Sequence, residues 1–203
     1  MPSPYGMTEQ IARLRITLND TDPPVWRRVE LPLTNSLNTL HLAIQAAMLF
    51  ENYHLFQFDI GDVRYGIRFD DDWSDKPTRD AGNIRLGRLV QRGVVAFTYT
   101  YDFGDNWHHT VVIEAVTPAN PNKEYPCFID GERRAPPEDV GGLLGFEEFV
   151  EAMTEPDNPE RDAVVGWYGG VFNPADISPD EIGVRMSRLA KRRANGRAEN
   201  KKA

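Results

Sequence analysis

Two runs of alternating residues, 94–101 and 108–116, constrain the fold most, because only a short segment separates them along the chain. In both runs apolar side chains alternate with polar ones, which is the period of a half-buried β-strand. Residues 103–106 include a glycine, an aspartate and an asparagine, all of which favour tight turns. The pattern therefore predicts an antiparallel β-hairpin closed by the loop 103–106.

The length of that loop also predicts the register of the hairpin. With residues 103–106 in the loop, Tyr101 faces His108 and Thr100 faces His109. Residues directly opposite each other share one face of a sheet, so this register assigns each histidine to a particular face.

Hydrophobic periodicity elsewhere predicts further strands in the first half of the chain and helices in the last third. The predicted strands cover residues 12–18, 25–31, 56–60 and 63–69, and the predicted helices cover residues 37–48, 84–90, 146–153, 159–168 and a segment beginning at 178. Residues 118–137 contain several prolines and predict loops. This order predicts an α+β fold, in which helices pack on one face of an antiparallel sheet. We expect a single domain over residues 1–190, followed by a basic, disordered tail over residues 191–203.

The chain has a net charge of −8, and that charge is unevenly distributed. Residues 185–203 carry eight lysines and arginines and one glutamate, so the rest of the chain is strongly acidic. An acidic body repels phosphate backbones, whereas a basic tail attracts them. Candidate nucleic-acid contacts are therefore confined to the tail, at Lys191, Arg192, Arg193 and Arg197. The alternative is a solvated helix end, because basic termini are common.

Cysteine content and hydropathy narrow the class of protein further. Cys127 is the only cysteine, which excludes an internal disulfide and a multi-cysteine zinc site. No apolar run approaches the length that spans a bilayer, and residues 1–10 lack the basic start and apolar stretch of a secretory signal. We therefore expect a cytoplasmic protein with no membrane partner.

Several motifs in the same order resemble one known family. They lie at residues 23–29, 40–48, 51–58, 101–107 and 136–142. On these motifs the chain resembles the plasmid pRiA ORF-three-like family, whose members are also labelled TnpR-like passenger proteins of insertion elements. The resemblance covers about residues 11–188 and implies an α+β fold on an antiparallel sheet, without an established activity.

The chain departs from that family pattern at two positions. His108 stands where the family usually has an acid, and Ala135 stands where it usually has a cysteine. Any cysteine chemistry of the family therefore has no counterpart at residue 135. The chain also lacks an identifiable nucleophilic serine backed by arginines, so recombinase chemistry is not indicated.

If the family motifs converge in space, they bring imidazole and carboxylate groups together. The candidate ligand or active-site cluster is His54, Asp102, Asp105, Trp107, His108, His109, Glu138 and Asp139. A divalent cation would be held by His54, Asp102, Asp105 and Glu138, and such mixed ligands suit Zn, Mn or Fe. The bound ion would activate water for hydrolysis of an ester or phosphoester. Without a metal, paired carboxylates would share the acid and base roles.

The same residues also have a purely structural interpretation. Aspartate, glycine and asparagine at residues 102–106 are ordinary turn residues, and Trp107 would pack over the hairpin. Arg27 and Arg28 would then pair with the motif carboxylates as buried ions. An acidic run at residues 70–75 has a faint similarity to a calcium loop, but it lacks the glycine and glutamate of that motif, which favours a solvated loop.

Three functional hypotheses follow. The leading one is a non-enzymatic binding or interaction module associated with plasmids or mobile elements, with a protein or small-molecule partner and no identifiable cofactor. The alternative is a hydrolase that depends on a divalent metal or on the carboxylate cluster. The third is a nucleic-acid accessory factor that acts through the basic tail.

Overall fold

The computed structural model describes residues 9–67 and 77–200, with side chains described up to residue 195. Its strands are β1 (Gln10–Leu18), β2 (Val25–Pro32), β3 (Phe56–Ile60), β4 (Val63–Gly66), β5 (Arg79–Asp80), β6 (Ala96–Tyr101), β7 (Trp107–Pro118) and β8 (Cys127–Glu132). Its α-helices are α1 (Leu37–Met48), α2 (Leu86–Gln91), α3 (Gly142–Thr154), α4 (Arg161–Tyr168) and α5 (Pro179–Asn200).

The described strands form one sheet in the order β5-β4-β3-β6-β7-β1-β2-β8. Neighbouring strands are antiparallel except for β4 and β5, which pair in parallel over two residues. This arrangement confirms the α+β fold that the sequence predicts. None of the described helices combines the length and the apolar character needed to cross a membrane.

The two faces of the sheet differ in polarity, as the alternation of the sequence predicts. On one face Leu14, Val29 and Tyr99 are fully buried, and Leu40 of α1 packs into the same core. Burying one such aliphatic side chain contributes roughly 1.5–3 kcal/mol to folding. The opposite face carries exposed polar groups such as Arg13.

Arg27 lies on the apolar face, yet it has no carboxylate partner in the part of the chain that the structure describes. Its Nε atom donates to the Ala47 carbonyl at 2.8 Å, and one terminal nitrogen donates to the carbonyls of Trp26 and Arg133, both at 2.8 Å. Burial lowers the pKa of Arg27 to about 10. Because Ala47 lies in the last turn of α1, the guanidinium satisfies a carbonyl that has no partner within the helix.

Arg28 lies on the opposite face, where it pairs with Glu114 at 2.7 Å and with Asp130 at 3.6 Å. The prediction that Arg27 and Arg28 neutralise the motif carboxylates is therefore wrong. Arg27 instead donates to main-chain carbonyls, and Arg28 pairs with carboxylates elsewhere on the sheet.

Two segments are more ordered than the sequence predicts. Residues 127–132 of the predicted loop form β8, which pairs with β2. Helix α5 continues to Asn200, beyond residue 190 where we expect the tail to begin. The acidic run at residues 70–75 and the end of the predicted strand at residues 68–69 lie outside the described residues.

Candidate functional site

The β6–β7 hairpin has a register that differs by one residue from the predicted one. Tyr101 pairs with Trp107 and Thr100 pairs with His108, whereas the sequence predicts that Tyr101 faces His108 and Thr100 faces His109. A slip of one residue moves every side chain of the strand to the other face. The correction therefore exchanges the surroundings of the two histidines.

The loop between the paired strands spans residues 102–106, one residue more than predicted, and the conformation of the turn explains this length. Asp102 leaves the strand with φ of 53°, and its Oδ1 atom accepts a hydrogen bond from the Gly104 N–H at 2.9 Å. The Asn106 N–H donates to the Asp102 carbonyl at 2.6 Å, and Asn106 also has a positive φ. Asp102 thus belongs to the turn, because aspartate and asparagine bond to nearby main chain and tolerate this conformation.

The two adjacent histidines serve different surroundings. His108 is exposed on the polar face, where its Nδ1 atom lies 3.0 Å from the Thr100 hydroxyl. His109 is fully buried, and its Nδ1 atom lies 3.0 Å from the Trp107 carbonyl. Burial lowers the pKa of His109 to about 4. Trp107 packs edge-on against Phe146 in the core. The structure does not place these three predicted site residues in the group around His54.

His54 is the centre of a group of carboxylates from two other segments of the chain. Its Nε2 atom lies 3.1 Å from Asp139 Oδ1, 3.5 Å from Asp102 Oδ2 and 3.9 Å from Glu138 Oε2. The Nε2 atom is buried, and it makes no hydrogen bond within the described residues. The structure thus brings four of the predicted site residues together, and we call them the His54 cluster.

The His54 cluster has a buried floor and an open edge. The side chains of Asp102 and Glu138 are 8% and 11% exposed, that of His54 is 29% exposed, and that of Asp139 is 69% exposed. A ligand can therefore approach from the side of Asp139, while Asp102 and Glu138 are held in a drier environment. Electrostatic interactions are stronger there than at the open surface.

The Tyr101 hydroxyl joins the segments that form the cluster. It accepts hydrogen bonds from the N–H groups of Tyr53 and His54 at 3.0 and 3.4 Å, and it donates to Glu138 Oε1 at 2.9 Å. The Glu51 N–H also donates to Glu138 Oε1, at 2.6 Å. Burial raises the pKa of Tyr101 above its usual value, so the hydroxyl keeps its proton. Sequence reasoning missed Tyr101, although its place inside the central motif was the available signal.

Asp105 supports the cluster from outside it. Its Oδ2 atom accepts a hydrogen bond from the Gly141 N–H at 3.2 Å. Gly142 has φ of 70°, and a Cβ atom there would lie 2.9 Å from the Asp105 carbonyl oxygen. These contacts hold the start of α3 against the hairpin turn, next to Asp139. The structure does not place Asp105 among the possible metal ligands of the described residues, where Asp139 is found instead.

Glu138 is the cluster carboxylate with unused bonding capacity. Its Oε1 atom accepts two hydrogen bonds, whereas its buried Oε2 atom has no hydrogen-bond partner within the described residues. Burial raises the pKa of Glu138, and the bonds from Glu51 and Tyr101 and the nearby His54 act in the opposite direction. Glu138 therefore keeps its proton to a higher pH than an exposed glutamate does.

The donor set suits a divalent transition metal. One ligand atom from each of His54, Asp102 and Asp139 lies within 4.8 Å of the others. An ion held at about 2.1 Å by each ligand needs ligand atoms no more than about 4.2 Å apart. Side-chain shifts of under an ångström would therefore close the site. Three protein ligands also leave coordination positions for water or another molecule.

The basic end of α5 does not form one free cationic surface. Lys191 and Arg192 are exposed, but the Arg193 guanidinium donates to Asn35 Oδ1 at 3.1 Å and pairs with Glu9. The side chain of Arg197 lies outside the described residues. Part of the predicted nucleic-acid patch is thus bound to the body of the protein.

Proteins of unknown function resemble this chain both in sequence and in structure. The chain is 36% identical over 196 residues to the uncharacterized protein y4hQ of Sinorhizobium fredii, covering 92% of this chain and 100% of that protein. The crystal structure of MM3350, a protein of unknown function from Methanosarcina mazei Go1, matches with a TM-score of 0.78 and 31% identity. That match covers 86% of this chain and 97% of the other.

The sequence pattern that describes the Plasmid pRiA4b ORF-3-like protein family matches residues 10–181. The chain belongs to this family, which confirms the resemblance seen in the motifs.

Proposed function

We propose that this member of the Plasmid pRiA4b ORF-3-like protein family is a binding module built around a divalent transition-metal centre at His54, Asp102 and Asp139. One observation carries the proposal: among the described residues, the buried His54 Nε2 atom makes no hydrogen bond and lies within 3.9 Å of three carboxylates. A buried polar atom without a partner costs roughly 1–3 kcal/mol. A cation would remove that cost and neutralise the carboxylates.

The open edge of the cluster indicates what the centre does. The exposed carboxylate of Asp139 leaves one side of the ion accessible, so a partner or small molecule supplies the remaining ligands. Imidazole and carboxylate together favour Zn, Mn or Fe, whereas Ca and Mg prefer sites made only of oxygen. We keep the association with plasmids or mobile elements as part of this proposal.

The test is the metal content of freshly purified protein, measured by mass spectrometry before and after chelation. Addition of Zn or Mn at about 100 times the dissociation constant is expected to stabilise the fold by about 2.7 kcal/mol. For a chain of this length that raises the melting temperature by roughly 5–10 °C. His54→Ala is expected to lose the bound ion and the thermal shift.

His108→Ala is the matched control, because it removes an imidazole from the β6–β7 hairpin, which also carries Asp102, but outside the His54 cluster. It is expected to keep both the ion and the thermal shift. Protein that contains no ion, and whose melting temperature is unchanged by Zn, Mn, Mg or Ca, contradicts the proposal.

Glu138 supports a second candidate function, metal-assisted hydrolysis of an ester or phosphoester. Its free Oε2 atom lies 3.9 Å from His54 Nε2, and burial raises its pKa. Such a carboxylate can accept a proton from a water molecule bound beside it. Glu138→Gln is expected to retain the metal but to lose hydrolysis of generic ester and phosphoester substrates. Wild-type protein that binds metal without hydrolysing any of them leaves the binding module as the function.

Nucleic-acid binding has weaker support. The Arg193 guanidinium is engaged by Glu9 and Asn35, and the body of the protein is acidic. Basic residues held in ion pairs contribute less to the attraction of phosphates. We therefore place this hypothesis behind the two that use the His54 cluster.

A further inference from the structure

A cleft of about 540 Å³ lies between α3 and α4, next to the His54 cluster. Asp139 borders both, because its carboxylate faces His54 and it also lines the cleft. The volume falls within the range of about 300–1,000 Å³ that is usual for small-molecule sites. The cleft therefore has room for an organic ligand, whether or not a metal is bound beside it.

Two facing helix surfaces form the walls of this cleft. Along α3, Gly145, Glu148, Phe149 and Ala152 recur at intervals of three or four residues, which places them on one face of the helix. From α4, Ala163, Val164 and Trp167 follow the same spacing. Small residues on both faces leave space between the helices, and the exposed ring of Trp167 supplies the apolar surface of the floor.

The rim of the cleft is uniformly acidic. Asp139, Glu148, Glu151 and Glu160 line it, and none of its lining residues in the described chain is a lysine or an arginine. Within the described residues, the carboxylates of Glu148, Glu151 and Glu160 have no ion pair and no hydrogen bond. Like charges three residues apart on a helix, such as Glu148 and Glu151, repel each other.

Arg161, which lies next to the cleft, is bound to main-chain carbonyls. Arg161 begins α4, and its guanidinium donates to the main-chain carbonyls of Ala152 and Met153 at the end of α3. It therefore satisfies carbonyls without partners and holds the two helices together, rather than neutralising the rim.

The floor of the cleft exposes aromatic surface to the ligand. Trp167 is 55% exposed, which is unusual for the largest apolar side chain, and its ring packs edge-on against Phe149 at 5.9 Å. Indole is the ring that attracts organic cations most strongly, and it also binds alkyl chains. An inorganic ion would use the carboxylates but would leave this surface exposed.

We propose that the α3–α4 cleft binds an organic dication, in which an alkyl chain lies on Trp167 and its terminal ammonium groups pair with the carboxylates of Glu148, Glu151 and Glu160. The proposal goes beyond the metal centre and does not depend on it. The same chemistry is presented by a free alkyl diamine and by the adjacent lysine side chains of a basic peptide. Charge and apolar length are both needed, because the cleft offers both.

The experiment is calorimetric titration of the full chain, after chelation, with 1,8-diaminooctane. The matched neutral probe is 1,8-octanediol, which has the same length without charge. The peptide arm uses an acetylated, amidated dilysine. We expect binding of the diamine or of the dilysine, with little binding of the diol. Whichever cationic probe binds more tightly identifies the source of the ligand.

Variants on the same helix separate a site from general attraction to an acidic protein. Glu148→Gln and Trp167→Ala are each expected to weaken binding of the diamine by about tenfold. Glu147→Gln makes the same charge change on α3, but Glu147 lines a different cavity and is expected to change affinity less than about twofold.

His54→Ala distinguishes this proposal from the metal centre. It removes the imidazole ligand and leaves the cleft intact, so binding of the diamine is expected to be unchanged. Equal weakening by Glu147→Gln and Glu148→Gln overturns the proposal, and so does equal binding of the diol and the diamine. Absence of binding by both cationic probes also overturns it.

Discussion

His41 and His54 each lie among polar groups on the same side of the sheet, but only His41 has a hydrogen-bond partner for both ring nitrogens within the described residues. His41 Nδ1 lies 2.8 Å from the Tyr99 hydroxyl and His41 Nε2 lies 2.7 Å from Asn52 Oδ1. Its ring stacks on Phe56 with the centroids 3.6 Å apart. A neutral imidazole satisfies both contacts, with Nε2 donating to the amide oxygen and Nδ1 accepting from the hydroxyl.

The His54 cluster lacks that balance. Its imidazole faces carboxylates, which only accept hydrogen bonds when ionised, and its Nε2 atom remains unbonded. Asp102 and Asp139 also have φ values of 53° and 57°, in the left-handed region that is strained for most residues. A satisfied network stabilises a core, whereas converging acceptors with unused capacity suit a bound cation. Within the described residues, the comparison therefore distinguishes a histidine whose two ring nitrogens are both hydrogen-bonded from one whose Nε2 atom faces carboxylates without a bond.

Removing each imidazole gives the largest contrast. His41→Ala is expected to lower the free energy of unfolding by roughly 3 kcal/mol, because it opens a cavity and leaves the Tyr99 hydroxyl with one partner fewer. His54→Ala is expected to cost less than about 1 kcal/mol, since its side chain is partly exposed and Nε2 has no bond to lose. Urea unfolding of the metal-free proteins measures both changes. Equal losses of unfolding free energy in the two variants would indicate that His54, like His41, stabilises the fold.

The pH dependence of stability provides the next contrast. Burial lowers the pKa of His41 to about 4, whereas a histidine in the unfolded chain titrates near 6.5. Between these values the unfolded state binds more protons, so stability is lost as the pH falls from about 6.5 towards 4. His41 can account for at most roughly 3 kcal/mol of that loss.

His41→Gln isolates this contribution, because all other titrating groups remain. The difference in unfolding free energy between wild type and variant is expected to narrow between about pH 7 and pH 4.5. Parallel pH curves for wild type and His41→Gln would show that His41 is protonated in the folded protein at higher pH than its burial indicates.

The sequence predicts the sheet well because alternation reports directly on which strand face is buried. The faces of β2 follow the predicted pattern, with Val25, Val29 and Leu31 in the core. Arg27 interrupts that pattern, and only the three-dimensional contact with the end of α1 explains why it is tolerated. The sequence predicts a loop at β8 because the surrounding segment contains several prolines, and β8 is an edge strand that is only partly buried.

The candidate site was harder to predict, because convergence depends on turns. His54, Asp102, Glu138 and Asp139 come together as the resemblance to the family suggests. Asp139 reaches the cluster from a backbone with positive φ, and Asp105 supports the cluster by accepting a hydrogen bond from the Gly141 N–H. Periodicity contains no information about either. The predicted register of the hairpin is wrong for the same reason, since a single residue in the loop decides which of His108 and His109 faces the core.

A smaller effect tests how the turn supports the cluster. Asp105→Ala is expected to lower the free energy of unfolding by only about 1 kcal/mol, because it removes one hydrogen bond to the exposed Gly141 N–H. Without that bond the start of α3 no longer fixes Asp139, so metal affinity is expected to fall by about tenfold or more. Metal titration of both proteins measures the change. Unchanged affinity would show that Asp139 is positioned without Asp105.

The smallest expected effect decides the register on which the whole comparison depends. His108→Asn is expected to change the free energy of unfolding by no more than about 0.5 kcal/mol, because His108 is exposed on the polar face and makes one contact, with Thr100. It is also expected to leave metal affinity unchanged. In the register that the sequence predicts, His108 would instead lie on the core face with Tyr101, whose hydroxyl contacts the His54 cluster. A large loss of stability or of metal binding in His108→Asn would therefore favour that register, and would move the functional imidazole from the segment before β3 to the hairpin.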